Sequence, residues 1–168
     1  MDDNELIIEH INFGTDDLKD KYDTYNSLLE KMFIELDFSD KAILGKIFDL
    51  YVDTYFKDKS LYKNSIIDEI KAKTLAYFLK NNDVYIGGCV CQPSKFYINT
   101  CMISNLVIFS EFRSQGYGKY LLKYILNDLK VKYKFKYFGI NCLINNNAAM
   151  KLYRSIGFSP ISTYLMKI

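Results

Sequence analysis

The spacing of apolar residues changes partway along the chain. Up to about residue 55 they recur mainly at helical intervals, and from Thr74 onward they run or alternate as in strands. Leu6-Ile7-Ile8 with Ile11 reads as a first strand. Leu18, Tyr22, Tyr25, Leu28/Leu29, Met32, Phe33 and Leu36 then share one helical face, which predicts an amphipathic helix over about 16–36. Asp37-Phe38-Ser39 interrupts it. Ser39 can cap a second helix carrying Ile43, Ile47, Leu50/Tyr51 and Thr54/Tyr55. Leu61 to Ile70 reads as a loop with a short helix.

In the second part, Thr74–Lys80 and Val84–Gln92 are strand-like, and Asn81-Asn82-Asp83 between them is a hairpin signal. Thr100–Phe109 is a third strand of this series, followed by a helix from about Tyr117 to Lys130. Tyr133–Ile144 predicts a fourth, Asn147–Ser155 a short helix stopped by Gly157, and Phe158 onward a strand again. The resulting order, β-αα-β-β-β-α-β-α-β, is of the α+β class with a mixed sheet. No repeat, low-complexity segment or linker divides the 168 residues, so a single domain is expected over 1–168.

The segment between the third strand and its helix carries the first candidate chemistry: Arg113-Ser114-Gln115-Gly116-Tyr117-Gly118. Glycines let successive N–H groups converge, and a helix N-terminus adds partial positive charge, so this loop predicts a phosphate-bearing ligand. Two familiar phosphate loops do not fit. A dinucleotide fingerprint starting at Gly116 requires a small residue where Leu121 stands. A Walker-type loop ending at Gly118-Lys119 requires glycine at Arg113 and a hydroxyl residue at Tyr120.

The pattern Arg-x-x-Gly-x-Gly resembles instead the cofactor loop of the GNAT superfamily of acyl-CoA N-acyltransferases. A second segment, Asn146-Asn147-Ala148-Ala149-Met150-Lys151-Leu152-Tyr153-Arg154-Ser155-Ile156-Gly157-Phe158, is similar to that family's Asn-x-x-Ala-x-x-Leu-Tyr-x-x-x-Gly-Phe at every fixed position. The resemblance covers roughly residues 74 to 168, and the predicted element order agrees with the family's mixed, mostly antiparallel sheet flanked by helices. It implies a cofactor-binding core over 74–168 and an acceptor-side strand and helices over 1–73. Among 22 basic residues only Arg113 and Arg154 are arginine, and both lie in these segments. Arginine offers a planar donor set suited to phosphate or carboxylate, whereas elsewhere the chain uses lysine.

The resemblance also implies roles. Leu106, Val107 and Ile108 would lie along the cofactor's pantetheine arm, and a backbone N–H among them would hold the thioester oxygen as negative charge develops. Ser114, Gln115, Gly116, Tyr117, Gly118 and Lys119 would hold the pyrophosphate through backbone N–H groups, with Arg113 shaping or touching it. Asn146 would help to hold the arm, and Tyr153 would be the general acid that protonates the departing thiolate. Ala149, Tyr153 and Ile156 share a helical face, so core packing alone also accounts for Tyr153. No general base is legible. Glu111 lies in the loop just after the third strand of the series, and Glu35 and Asp37 lie at the junction of the first two helices, which in the family borders the acceptor pocket. Each reads as a solvated surface charge.

Composition bounds the rest. Apolar residues make up 49% and charged residues 25%, ordinary globular values. No apolar run approaches the roughly 20 residues that cross a bilayer, and Met1-Asp2-Asp3-Asn4-Glu5 is unlike a secretory signal, so a soluble cytoplasmic protein is expected. Cys89, Cys91, Cys101 and Cys142 lack metal-ligand spacing and read as buried free thiols, and the lone His10 reads as structural. Residues 1–53 carry 14 acidic and 5 basic side chains (−9) and the remainder 6 and 17 (+11), returning the net +2. The basic part suits a polyanionic cosubstrate, and nucleic acid is disfavoured by the modest total charge. The acidic part suits a cationic acceptor: a polyamine, an aminoglycoside, or a lysine or N-terminal amine of a protein.

The expected activity is therefore acetyl transfer from acetyl-CoA, as acyl-donor cosubstrate and without a metal, to a primary amine. Two rivals stay open: a catalytically silent acetyl-CoA sensor, and a hexosamine-phosphate N-acetyltransferase, which requires positive charge at its acceptor pocket. A homodimer is plausible from the resemblance.

Overall fold

Asn82 takes a left-handed backbone (φ 52°) in a two-residue turn, which lets the chain reverse between Asn81 and Val84 and pair them directly. The structure, a computed structural model, describes residues 6–12, 22–35, 74–94, 97–142 and 145–161. Its strands are β1 (Leu6–Asn12), β2 (Leu75–Asn81), β3 (Val84–Pro93), β4 (Thr100–Ile108) and β5 (Tyr137–Ile140). Its helices are α1 (Tyr22–Glu35), α2 (Tyr117–Val131) and α3 (Asn147–Ile156), with a short 3-10 turn at Ser110–Phe112. The strands form one sheet in sequential order; the first three pairings are antiparallel and β4 with β5 is parallel.

The middle of the sheet is buried on both faces, as expected where each face carries a helix. Leu75, Tyr77 and Leu79 of β2 pack with Ile86, Cys89 and Ile103 beneath the apolar stripe Leu121, Leu122, Ile125 and Leu129 of α2. The alternate residues Ala76 and Phe78 face the other way, with Val90 and Val107, onto Tyr25, Leu28 and Met32 of α1. Of the predicted stripe of the first helix, Tyr25, Leu28 and Met32 thus lie on a buried face. The helix is described over Tyr22–Glu35, and the expected positions 16–21 and 36 lie outside the described residues. The second helix predicted after Ser39, the segment Leu61–Ile70 and the strand expected after residue 161 lie outside the described residues.

Two expectations need correction. The fourth strand of the series was expected over Tyr133–Ile144, but β5 spans only Tyr137–Ile140. Tyr133 and Phe135 alternate as in a strand because both pack back onto the core beneath α2, while Lys134 between them is left-handed (φ 62°). Ladder pairing begins at Thr100 and Tyr137, after Asn99 O has accepted the N–H groups of Lys136 and Tyr137. Phe158–Ile161, expected to resume a strand, carry none.

Cys89, Cys91 and Cys101 are buried free thiols, with burial pushing the Cys91 thiol up, whereas Cys142 is only half-buried. His10 lies against Tyr77 and within 3.0 Å of the Tyr133 hydroxyl, a packing position. Among the described residues, no helix is long and apolar enough to cross a membrane.

Candidate active site

The cleft exists because β4 outruns β5. β5 pairs with β4 only from Thr100 to Ile103, so from Ser104 to Ile108 that edge of β4 has no strand beside it among the described residues. The other edge is disturbed as well. Gly88 opposes Val107 while Val90 opposes Ser104, so β4 carries one extra residue, at the point where Asn105 turns left-handed (φ 52°). Such a bulge bends and re-aims a strand. Below the bulge, Leu106, Val107 and Ile108 line an elongated cleft of about 590 Å³, within the range of small-molecule sites.

One wall of the cleft is the loop that leaves β4. Ser114 (φ 64°) and Gly116 (φ 87°) both adopt left-handed backbone, which glycine takes freely and serine only at some cost. Gly116 is also the residue preceding α2, and no side chain caps that helix start or puts an acid in its first turn. Lys119 N–H and Tyr120 N–H are both taken by Gly116 O, but the earlier N–H groups have no partner within a helix. The positive end of α2 therefore meets the cleft uncompensated, and Ser114, Gly116, Tyr117, Gly118 and Lys119 line it. Gln115 is exposed and does not line the cleft.

Arg113 borders the cleft, but its guanidinium is engaged within the protein. Its Nε donates to Ile108 O at 2.9 Å, and its Nη2 donates to both the carboxylate and the backbone carbonyl of Glu35. Of the two roles expected for Arg113, the shaping of the loop is the one these contacts serve. Glu35 is itself a lining residue, with its side chain 16% exposed, so its reading as a solvated surface charge is corrected. Glu111 is solvated, as expected, but paired: Lys31 at 2.9 Å holds its carboxyl down to about 2.

The opposite wall is α3. Asn146 caps it, its Oδ1 accepting from Ala149 N–H at 3.0 Å, which leaves the amide nitrogen for the cleft. Small side chains at Ala148 and Ala149 keep this wall open, and Leu152 and Tyr153 follow one turn deeper. The helix ends in a Schellman motif: Gly157 (φ 105°) donates to Arg154 O, Phe158 donates to Tyr153 O, and the Phe158 ring meets the Tyr153 ring edge-on at 6.1 Å. The Tyr-x-x-x-Gly-Phe spacing is thus a helix stop that fixes Tyr153 from behind. The Tyr153 hydroxyl has no hydrogen-bond partner among the described residues. Desolvation, with smaller contributions from Cys142 and Cys89, pushes its pKa above the ordinary tyrosine value, so it remains a protonated phenol at neutral pH.

Sequence reasoning did not single out Phe112, Ala148 or Leu152 as lining residues. A legible signal existed for Ala148 and Ala149: two small residues directly after a capping asparagine. For Glu35 the resemblance gave its place beside the acceptor pocket, but not its contact with Arg113, 78 positions away in sequence. Among the described residues no group of three or more His, Cys, Asp or Glu could hold a metal ion.

Comparison with known proteins agrees with this geometry. Residues 44–158 match the model of the acetyltransferase (GNAT) family. A probable N-acetyltransferase of Drosophila melanogaster is 27% identical over 103 residues, 58% of this chain and 53% of that protein. A ribosomal-protein bS18-alanine N-acetyltransferase of Haemophilus ducreyi is 30% identical over 105 residues, 60% of this chain and 66% of that one. The chain thus spans about half to two thirds of the length of the curated relatives it matches. A GCN5-related N-acetyltransferase from Ralstonia eutropha shares the fold at 13% identity (TM-score 0.66, covering 97% of this chain and 98% of that chain). So does an aminoglycoside N-acetyltransferase in complex with CoA, at 11% identity (TM-score 0.62, covering 98% and 94%). On the family match, the two motifs and the shared fold, the chain belongs to the acetyltransferase (GNAT) family.

Proposed function

We propose that this protein transfers an acetyl group from acetyl-CoA to a primary amine by direct attack, with Tyr153 as general acid. The observation that carries this is one cleft joining three features: the edge of β4 that no described strand covers, the positive loop at the start of α2, and the Tyr153 hydroxyl, unbonded among the described residues. A pantetheine arm carries amides that suit an open strand edge, and a pyrophosphate suits convergent N–H groups. The site therefore fits acetyl-CoA from the chemistry of its own walls. Leu106, Val107 and Ile108 would take the arm, Ser114, Gly116, Tyr117, Gly118 and Lys119 the pyrophosphate, and Asn146 an arm amide. Gln115 is left as a backbone contributor to the loop.

In the reaction the amine lone pair attacks the thioester carbonyl carbon. The carbonyl oxygen takes up negative charge, which a β4 N–H aimed at it would stabilise. The C–S bond then breaks, Tyr153 gives its proton to the sulfur, and the ammonium proton leaves to solvent. Burial that disfavours the phenolate also disfavours a thiolate in the same cleft, and the phenolate regains its proton from solvent before the next turnover. Glu111 does not line the cleft and is paired with Lys31, so no base role is assigned to it.

For the acceptor we infer a cationic small amine or a protein amine, supported by the −9 charge of residues 1–53. The test is thiol release from acetyl-CoA with a polyamine, an aminoglycoside, N-terminal peptides and a hexosamine phosphate. Turnover with a cationic amine is the expected result. Preference for the hexosamine phosphate rejects the electrostatic argument, and binding without turnover across such amines makes the protein a silent sensor.

Gly118 offers a separate check on the ligand's position. A Cβ there meets Leu152 Cδ2 at 3.4 Å and Ile108 Cγ1 at 3.6 Å, ordinary contacts, so the protein's own packing does not require glycine. Gly118→Ala is expected to leave the melting temperature unchanged or slightly raised, since alanine suits a helix, while weakening acetyl-CoA binding by about tenfold, or ~1.4 kcal/mol. Calorimetric titration of the variant reads the affinity, and a thermal melt beside it shows that the fold is not the cause.

A further inference from the structure

Glu35 is the last residue of α1, and both of its carboxylate oxygens are engaged. Oε2 pairs with Arg113 Nη2, and Oε1 accepts from the Ser110 hydroxyl at 3.0 Å. The same Nη2 also donates to the Glu35 backbone carbonyl at 3.3 Å, at the partially negative C-terminal end of the helix. Arg113 in turn donates through Nε to Ile108 O at 2.9 Å. One guanidinium thus joins the end of β4 to the end of α1, and it stands directly before the left-handed Ser114. Few residues but arginine have the rigid fork needed to serve all three acceptors.

We propose that Glu35 is a positioning residue for the acyl-CoA cosubstrate. Acting through Arg113, it holds the root of the 113–118 loop so that the loop's N–H groups stay converged on the pyrophosphate. This rests on the reading of the cleft as an acetyl-CoA site and deepens it. Two consequences follow. The carboxylate offsets the Arg113 charge, so attraction for the pyrophosphate comes from backbone N–H groups and the helix end rather than from the guanidinium. The end of α1, on the acceptor side of the cleft, is mechanically tied to the cofactor loop.

The experiment compares two donors, acetyl-CoA and S-acetylpantetheine, which lacks the pyrophosphate and so does not reach the loop. Wild-type affinity for acetyl-CoA is measured first, and Glu35→Gln, Arg113→Lys and the double variant follow. Glu35→Gln is expected to weaken acetyl-CoA binding about tenfold, the scale of one hydrogen bond to a charged group, and to leave KM for S-acetylpantetheine unchanged. Arg113→Lys should do the same, and the double variant should be no worse than either single one, because both act through one contact. Equal losses for the two donors overturn the proposal, since general loosening of the fold affects both. Unchanged acetyl-CoA affinity with an altered amine KM or pH profile also overturns it, because Glu35 then acts on the acceptor. Should Glu35→Gln not fold, Ser110→Ala removes the hydroxyl that serves Glu35 Oε1 and, at 3.1 Å, Glu111 Oε2, while keeping the Glu35–Arg113 pair, and a smaller loss confined to acetyl-CoA is expected of it. Lack of acetyl-CoA binding by the wild-type chain removes the functional reading itself, whereas wild-type binding with a neutral Glu35→Gln removes only this inference.

Discussion

Tyr153→Phe is expected to lower turnover by about 10²-fold or more while leaving acetyl-CoA affinity intact, the low end for loss of a general acid. The substitution removes one oxygen and nothing that holds the residue. The Tyr153 carbonyl still accepts from Phe158 N–H, and the two rings keep their edge-on contact at 6.1 Å. The hydroxyl makes no hydrogen bond to the described residues, so its removal orphans no partner. A fall in kcat without a fall in stability therefore reports on proton delivery to the sulfur. Steady-state kinetics beside a thermal melt separates the two, and unchanged turnover contradicts the assignment.

Gly87→Ala should have the largest effect on the fold. A Cβ at Gly87 would lie 2.2 Å from the carbonyl oxygen of Val107 and 2.9 Å from the Cα of Ile108. Both are backbone atoms of the strand to which Gly87 is paired, so no rotamer change relieves the collision. β3 and β4 must part at the segment that lines the cleft. We expect a loss of about 3 kcal/mol, the upper end for overpacking, and with it a melting temperature lower by about 6–12 °C for a chain of this size. Acetyl-CoA binding should fail even at temperatures where the variant is folded, because the displaced residues are Val107 and Ile108. Gly118→Ala is the contrast: there the neighbouring protein atoms leave room for a methyl group. A Gly87→Ala variant as stable as the wild type contradicts the close approach of the two strands.

Local signals carried much of the fold and of the site. The turn at Asn82, the α2 stripe, the Gly157 stop and the glycines at the start of α2 are each encoded within a few residues, so all were legible. Asn146 was legible as a motif position, but its capping bond to Ala149 explains why asparagine suits that place. β5 was misjudged in length because Tyr133 and Phe135 are apolar for packing against α2, not for a ladder, and alternation cannot tell the two apart. The bulge in β4 was hidden for a similar reason. An extra residue appears only against a partner strand, and Asn105 in a run of strand formers gives little warning of φ 52°. The pairing of Glu35 with Arg113 was hidden because the two are 78 positions apart and contact at that range is set by tertiary packing.

Thermal unfolding with and without acetyl-CoA, with free adenosine as control, tests the central claim most directly. A ligand that binds only the folded chain, at 100 times its dissociation constant, adds about 2.7 kcal/mol of stability. The account predicts a clear upward shift with acetyl-CoA and none with adenosine, because the cleft holds the arm and the pyrophosphate. No shift at millimolar acetyl-CoA contradicts the assignment of the β4 edge and the 113–119 loop to this cosubstrate.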